Sequence, residues 1–133
     1  EAIIVLYTKY AKEDLVVPTS KIPPLLERVS EACRRYSLEA VNYGHVGDGN
    51  IHVNLLVDES CEDWHEAIEG ARRDLYLATR ELGGTLSGEH GIGLKRKAYL
   101  GMFLDDTQLE IIRGIKRVFD PNLILNPGKI VDL

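Results

Sequence analysis

"YGHVGDGNIHVNLL", residues 43–56, sets two histidines, His45 and His52, on either side of a Gly-Asp-Gly-Asn run. Residues 39–46 and 50–57 read as two strands joined by a hairpin, because Ile51, Val53, Leu55 and Val57 alternate with polar positions at the period of a half-buried strand. If Asp48-Gly49 is the centre of a type I′ turn, the register follows: Val46 pairs with Ile51 and His45 with His52. Tyr43, His45, His52 and Asn54 then share one polar face, while Val46, Ile51, Val53 and Leu55 line the core face. A longer turn through residues 47–50 would loosen this register and still leave both histidines beside one turn.

Outward from the hairpin, "TSKIPPLLERVSEACRRY", residues 19–36, places Ile22, Leu25, Leu26, Val29, Ala32, Cys33 and Tyr36 at helical spacing. Thr19 or Ser20 would serve as N-cap, and the prolines are confined to the first turn. The preceding "DLVVP" is short, apolar and ended by Pro18, as suits an edge strand. A second helix is expected from about Asp63 to Leu82, with Trp64, Ile68, Ala71, Leu75, Ala78 and Leu82 on one stripe and Gly83-Gly84 as its stop. A glycine-rich loop, "TLSGEHGIG", follows, with a short strand possible at Thr85–Ser87. A third helix, about 106–119, is expected to bury Leu109, Ile112, Ile115 and Phe119 before Asp120-Pro121 ends it. This order predicts an α+β fold of ferredoxin-like type: an antiparallel sheet with helices on one face, plus a C-terminal helical segment.

A chain of 133 residues suffices for one domain, able to bury roughly two-thirds of its unfolded surface. Its net charge of −5 argues against nucleic acid as a partner, because phosphate binders carry a clustered basic excess. Lys95-Arg96-Lys97, the sole basic run, reads first as a solvated helix face and second as an anion contact. Cys33 and Cys61 have no metal-ligand or redox spacing and read as free thiols. No apolar run approaches the roughly 18 residues of a membrane span, and no signal-peptide pattern opens the chain. A cytoplasmic location is therefore expected, with any attachment to a membrane made through partner subunits. The apolar "AIIVLY", residues 2–7, suggests that the chain starts partway into something larger, and residues 1–12 are expected to be a fragment start or linker.

The second polar cluster is "SGEHGIG", where Glu89 and His90 stand among Gly88, Gly91 and Gly93. Such glycines let the backbone approach another group closely. Two imidazoles and a carboxylate are a common set for a divalent metal that keeps an open coordination position, as catalytic zinc does. Nucleotide-binding glycine motifs do not fit: "GHVGDG" leads into a strand rather than a helix, and Gly128-Lys129 is followed by Ile130 instead of Ser or Thr.

"YGHVGDGNIHVN", "GGTLSGEHGIGLKRKAYL" and "IKRVFDPNLILNPGKI" together resemble the C-terminal, substrate-capping domain of FAD-linked oxidases of the vanillyl-alcohol oxidase class. Within that class the likeness is nearest to the glycolate oxidase flavoprotein subunit, D-lactate dehydrogenase and D-2-hydroxyglutarate dehydrogenase. The resemblance covers residues 13–133. It implies an FAD-dependent enzyme oxidising a small 2-hydroxy acid to a 2-oxo acid, with FAD held mainly by an N-terminal FAD-binding domain that these residues do not include. It also implies an electron-acceptor subunit as a partner, and no activity in this fragment alone.

On the local residues, the resemblance makes His45, His52 and Glu89 the ligands of a divalent metal, zinc foremost. His90 becomes the general base for the substrate hydroxyl, since an imidazole titrates near neutral pH. Asn54 becomes a substrate contact, and Asn126 and Lys129 in "NPGK" the segment that returns to the flavin; a plain turn with a solvated lysine is the other reading of that segment. Metal dependence varies within the family, so the histidines could instead bind the substrate directly. Lys12 stands where some relatives carry a carboxylate-binding lysine, but its neighbours match poorly and it is assigned no role. Two other functions remain open on these residues: a non-catalytic ferredoxin-like metal-binding module, and a self-contained metal-dependent hydrolase.

Overall fold

The computed structural model describes residues 7–133; most of "AIIVLY" and residues 1–6 of the expected linker lie outside the described residues. The backbone divides into two units, one ending at Gly88 and the other running from Glu89 to Leu133.

The first unit is a three-stranded antiparallel sheet carrying two helices. Strands β1 (Tyr10–Val16), β2 (Glu39–His45) and β3 (Asn50–Leu56) lie in the order β1-β3-β2. Helices α1 (Ile22–Tyr36) and α2 (Trp64–Glu81) pack on each other and on the sheet. An isolated antiparallel bridge joins Val16 to Thr85 on the outer side of β1. Only this single bridge forms where the short strand at Thr85–Ser87 was expected.

Alternation along β1 and β3 separates two faces. Ala11, Glu13 and Leu15 pair with Leu55, Val53 and Ile51, and all six are buried beneath the helices. Glu13 is the exception in kind, a carboxylate with no exposed surface. Its Oε1 accepts from Arg72 Nε at 2.9 Å and its Oε2 from the Tyr76 hydroxyl at 2.5 Å, both on α2. Burial works against the Arg72 charge, but the Glu13 carboxylate together with Glu69 and Tyr76 outweighs it and holds the guanidinium pKa above its ordinary value. A buried charge survives only with such partners.

Strand β1 begins four residues ahead of the apolar "DLVVP", and so takes in Tyr10–Glu13, because seven residues pair with β3. It lies at one edge of the described sheet, as Pro18 implied. Helix α1 starts without the expected cap. Thr19 and Ser20 belong to a short 3₁₀ turn, Lys21 precedes the helix with no side-chain cap bond, and the prolines occupy the first positions. Proline lacks the N–H a cap would satisfy, which makes a side-chain cap dispensable. Ile22, Leu25, Val29, Ala32 and Cys33 form the buried stripe. Burial also raises the Cys33 thiol pKa, and both cysteines are free. Helix α2 ends at the predicted glycine pair, where the N–H groups of Gly83 and Gly84 donate to the carbonyls of Arg80 and Thr79.

The second unit contains a 3₁₀ turn at Lys97–Met102 and helix α3 (Asp106–Phe119). A reciprocal capping box opens α3, Asp105 accepting from the Gln108 N–H while the Gln108 side chain accepts from the Asp105 N–H. Its limits match the expectation, but its burial does not. No α3 residue is buried; Ile115 is 55% and Phe119 79% exposed. The basic run is likewise no helix face. Arg96 is buried and donates to Gly91 O at 2.9 Å, and Lys97 donates to Gly128 O at 2.8 Å. No helix among the described residues is long and apolar enough to cross a membrane.

Candidate functional site

The sheet face opposite α1 and α2 carries polar side chains. β1 contributes Lys12 and Asp14, β3 contributes Asn50, His52 and Asn54, and β2 contributes Tyr43 and His45. The hairpin therefore presents Tyr43, His45, His52 and Asn54 together, as the alternation predicted.

The register differs. His45 pairs with Asn50 and Tyr43 with His52, around a four-residue loop at 46–49. A type I′ turn needs positive φ at both central residues, and Asp48 does not have it; Gly49 does, at +79°. Asp48 instead accepts the Asn50 N–H on its side chain at 3.1 Å, an Asx turn. Gly49 also docks on the exit of β1, donor and acceptor of the Val17 N–H to Gly49 O bond lying 3.2 Å apart, and a Cβ at Gly49 would sit 1.9 Å from Val17 O. The two-residue shift preserves the faces but moves Val46 into the loop, 66% exposed rather than in the core.

His52 is therefore flanked in register by Tyr43 on one side and Asp14 on the other. The His45 ring meets it edge-on with centroids 5.7 Å apart, and the Tyr43 ring lies at 5.1 Å. His52, Asn54 and Asp14 are buried while His45 and Tyr43 are exposed, so the cluster runs from a dry back to a wet front. Asn54 is held by its amide nitrogen, which donates to Val41 O at 3.1 Å. Lys12 lies directly opposite Asn54 in the ladder.

Asp14 is the residue that sequence reasoning missed. Its Oδ1 lies 3.6 Å from His52 Nδ1, and its Oδ2 accepts from Ser87 Oγ at 2.7 Å and from the Gly88 N–H at 3.0 Å. Gly88 packs so closely on Asn50 and Val16 that a Cβ would come within 2.6 Å of the Asn50 amide. The available signal was polar Lys12 and Asp14 two residues apart, but Glu13 between them hides the alternation.

In the second unit, Glu89 and His90 are exposed neighbours, with Oε1 and Nε2 3.5 Å apart. Asn126 and Lys129 close a turn on each other: Asn126 has φ +48°, and Lys129 Nζ donates to Asn126 Oδ1 at 3.0 Å. Downstream of α3, Asp120 gathers the Lys116 ammonium and the N–H groups of Ile124 and Leu125. These contacts, the Lys116 bond foremost, hold its carboxyl pKa below the ordinary value.

Residues 3–130 match the family model described as FAD linked oxidases, C-terminal domain. Among curated proteins, the Glycolate oxidase subunit GlcD of Bacillus subtilis is 36% identical over 118 residues, covering 89% of this chain and 25% of that protein. The D-lactate dehydrogenase of Archaeoglobus fulgidus is 42% identical over 118 residues, 89% of this chain and 26% of that protein. The D-2-hydroxyglutarate dehydrogenase of Xanthomonas citri pv. viticola is 36% identical over 130 residues, 95% of this chain and 27% of that protein. The chain thus spans about a quarter of the length of these relatives.

Proposed function

Since the chain belongs to the C-terminal domain family of the FAD linked oxidases, we propose that it is the substrate half of an FAD-dependent enzyme that oxidises a 2-hydroxy acid to a 2-oxo acid. The observation that carries this reading is the single polar sheet face on which His45, His52 and Asn54 stand together. The relatives named for D-lactate, glycolate and D-2-hydroxyglutarate supply the substrate class.

His45, His52 and Glu89 would hold a divalent ion, zinc foremost. The donor set fits, since two imidazoles already meet on one face and a carboxylate stands one residue beyond the Gly88 that is anchored to β1. When bound, the ion supplies Lewis acidity that loosens the hydroxyl proton, and FAD supplies the hydride acceptor. His90 would take the hydroxyl proton on its ring nitrogen. Asn54, its amide nitrogen engaged by Val41, offers Oδ1 to the substrate hydroxyl.

Asn126 and Lys129 would face the flavin from their turn. The partners are an FAD-binding domain elsewhere in the same protein and an electron-acceptor subunit. The location that fits this acidic, disulfide-free chain is the cytoplasm, any membrane attachment being made through partner subunits.

The test uses the full-length protein. It should be yellow and reduce an acceptor dye with at least one of D-lactate, glycolate and D-2-hydroxyglutarate, and His90→Ala should abolish dye reduction without loss of flavin absorbance. A colourless full-length protein, or undiminished turnover in His90→Ala, would overturn the reading.

A further inference from the structure

The polar face contains a carboxylate to which the reaction gives no task. Asp14 has no exposed surface, and an ionised carboxylate in such a place costs several kcal/mol unless its environment supplies compensating dipoles or charges. Here the compensation is divided between its two oxygens. Oδ2 takes the Ser87 hydroxyl and the Gly88 N–H. Oδ1 faces Nδ1 of His52 at 3.6 Å, an electrostatic contact rather than a hydrogen bond.

A buried anion beside one ring nitrogen favours the tautomer whose N–H dipole points toward it. It thereby leaves the lone pair on the other nitrogen. Asp14 is also the direct cross-strand partner of His52, so the backbone ladder sets the spacing of the carboxylate and the ring. The same side chain fixes the Ser87-Gly88 corner, and Glu89 follows at the next position in the chain.

From this geometry we propose that Asp14 is a positioning residue for the candidate metal centre: it keeps the His52 proton on Nδ1, presents Nε2 as the ligand, and anchors the corner that leads into Glu89. The inference rests on the metal reading above and adds a residue outside its ligand set. Carboxylates placed behind ligating imidazoles typically account for about 10–100-fold in metal affinity.

The test follows two signals in the full-length protein. Selectively ¹⁵N-labelled histidine, observed by NMR at pH 8 without added metal, reports the His52 tautomer. Zinc competition against a chromophoric chelator reports affinity. The wild-type protein should show the Nδ1–H tautomer; Asp14→Asn should raise the Nε2–H population and weaken zinc binding about 10–100-fold, and Asp14→Glu should restore part of both. An Nε2–H tautomer in the folded wild-type protein overturns the proposal even if no variant folds. So does an Asp14→Asn protein that keeps both tautomer and affinity. A wild-type protein that binds no zinc, yet whose tautomer shifts in Asp14→Asn, overturns the metal reading and supports the hold of Asp14 on His52.

Discussion

Leu15, Leu25, Leu55 and Leu75, in the unit that ends at Gly88, are fully withdrawn from water. Ile111, Ile115, Val118 and Phe119 of α3, in the unit that follows, remain 55–79% exposed. The α3 set nevertheless sits at ideal spacing for a buried stripe. Periodicity therefore shows that a face is apolar, and says nothing about whether this chain supplies its cover. The sheet unit closes a core between three strands and two helices. The second unit buries only Tyr99, Leu100 and Val131 among its described apolar residues and is tied largely by polar bonds: Ile130 N–H to Gly93 O, Arg113 to Asp132 O, Lys97 to Gly128 O, and the cluster on Asp120. Substitutions should separate the two regimes.

The largest effect is expected at Glu13. Removing its carboxylate leaves the Arg72 guanidinium, whose side chain is 13% exposed, to the solvent-exposed Glu69 carboxylate, and leaves the fully buried Tyr76 hydroxyl without that acceptor. Breaking a buried charge pair on one side costs about 3–5 kcal/mol. Trp64, the sole tryptophan, opens α2 and reports on this unit. Urea titration of Glu13→Ala followed by Trp64 fluorescence should show a loss of that size. A change below about 1 kcal/mol would mean the network behaves as a surface pair, and the sheet unit would lose its claim to a charged core.

How much was legible beforehand follows the same division. The hairpin strands, the limits of α3, the stop of α2 and the polar face were readable because alternation, capping residues and glycine pairs act locally. The register was not. It depends on the backbone of Asp48 and on Gly49 docking against Val17, a contact across 32 positions of sequence. Asp14 escaped for a related reason, since its role appears only once β1 is known to pair with β3 at His52. The exposure of α3 could not be read at all, because Ile115 and Phe119 satisfy the same pattern whether or not something covers them. For the candidate site, the residue types were legible, but their cross-strand partners were not.

An intermediate effect is expected at Asp120, which organises the second unit as Glu13 organises the first. Its carboxyl pKa is lowered in the folded chain by Lys116 and by the N–H groups of Leu125 and Ile124. A lowered folded value means that the ionised form favours folding, fully so above the ordinary aspartate range near about 3.9. That contribution is lost as pH falls through the lowered value. Amide-exchange protection at Ile124 and Leu125, corrected for the intrinsic rate, should drop in the acid range below about pH 4 in the wild-type chain. In Asp120→Asn it should be low throughout and lack that acid step. Identical profiles in the two proteins would show that the polar cluster does not tie this unit.

The smallest effect is expected where the sequence pattern looks most like core. Val118 and Phe119 are 76% and 79% exposed, so changing them to Thr and Ser removes little area from contact with other atoms, and transfer free energy scales with the area withdrawn from water. In this chain each substitution should change stability by no more than about 0.5 kcal/mol, against about 2–5 kcal/mol for truncating a core leucine such as Leu55. The helix itself should persist, since its capping box at Asp105 and Gln108 lies at the far end. A loss of several kcal/mol at Phe119 would place that ring in a packed environment within this chain, and the contrast between a self-closed sheet unit and an uncovered helix would collapse.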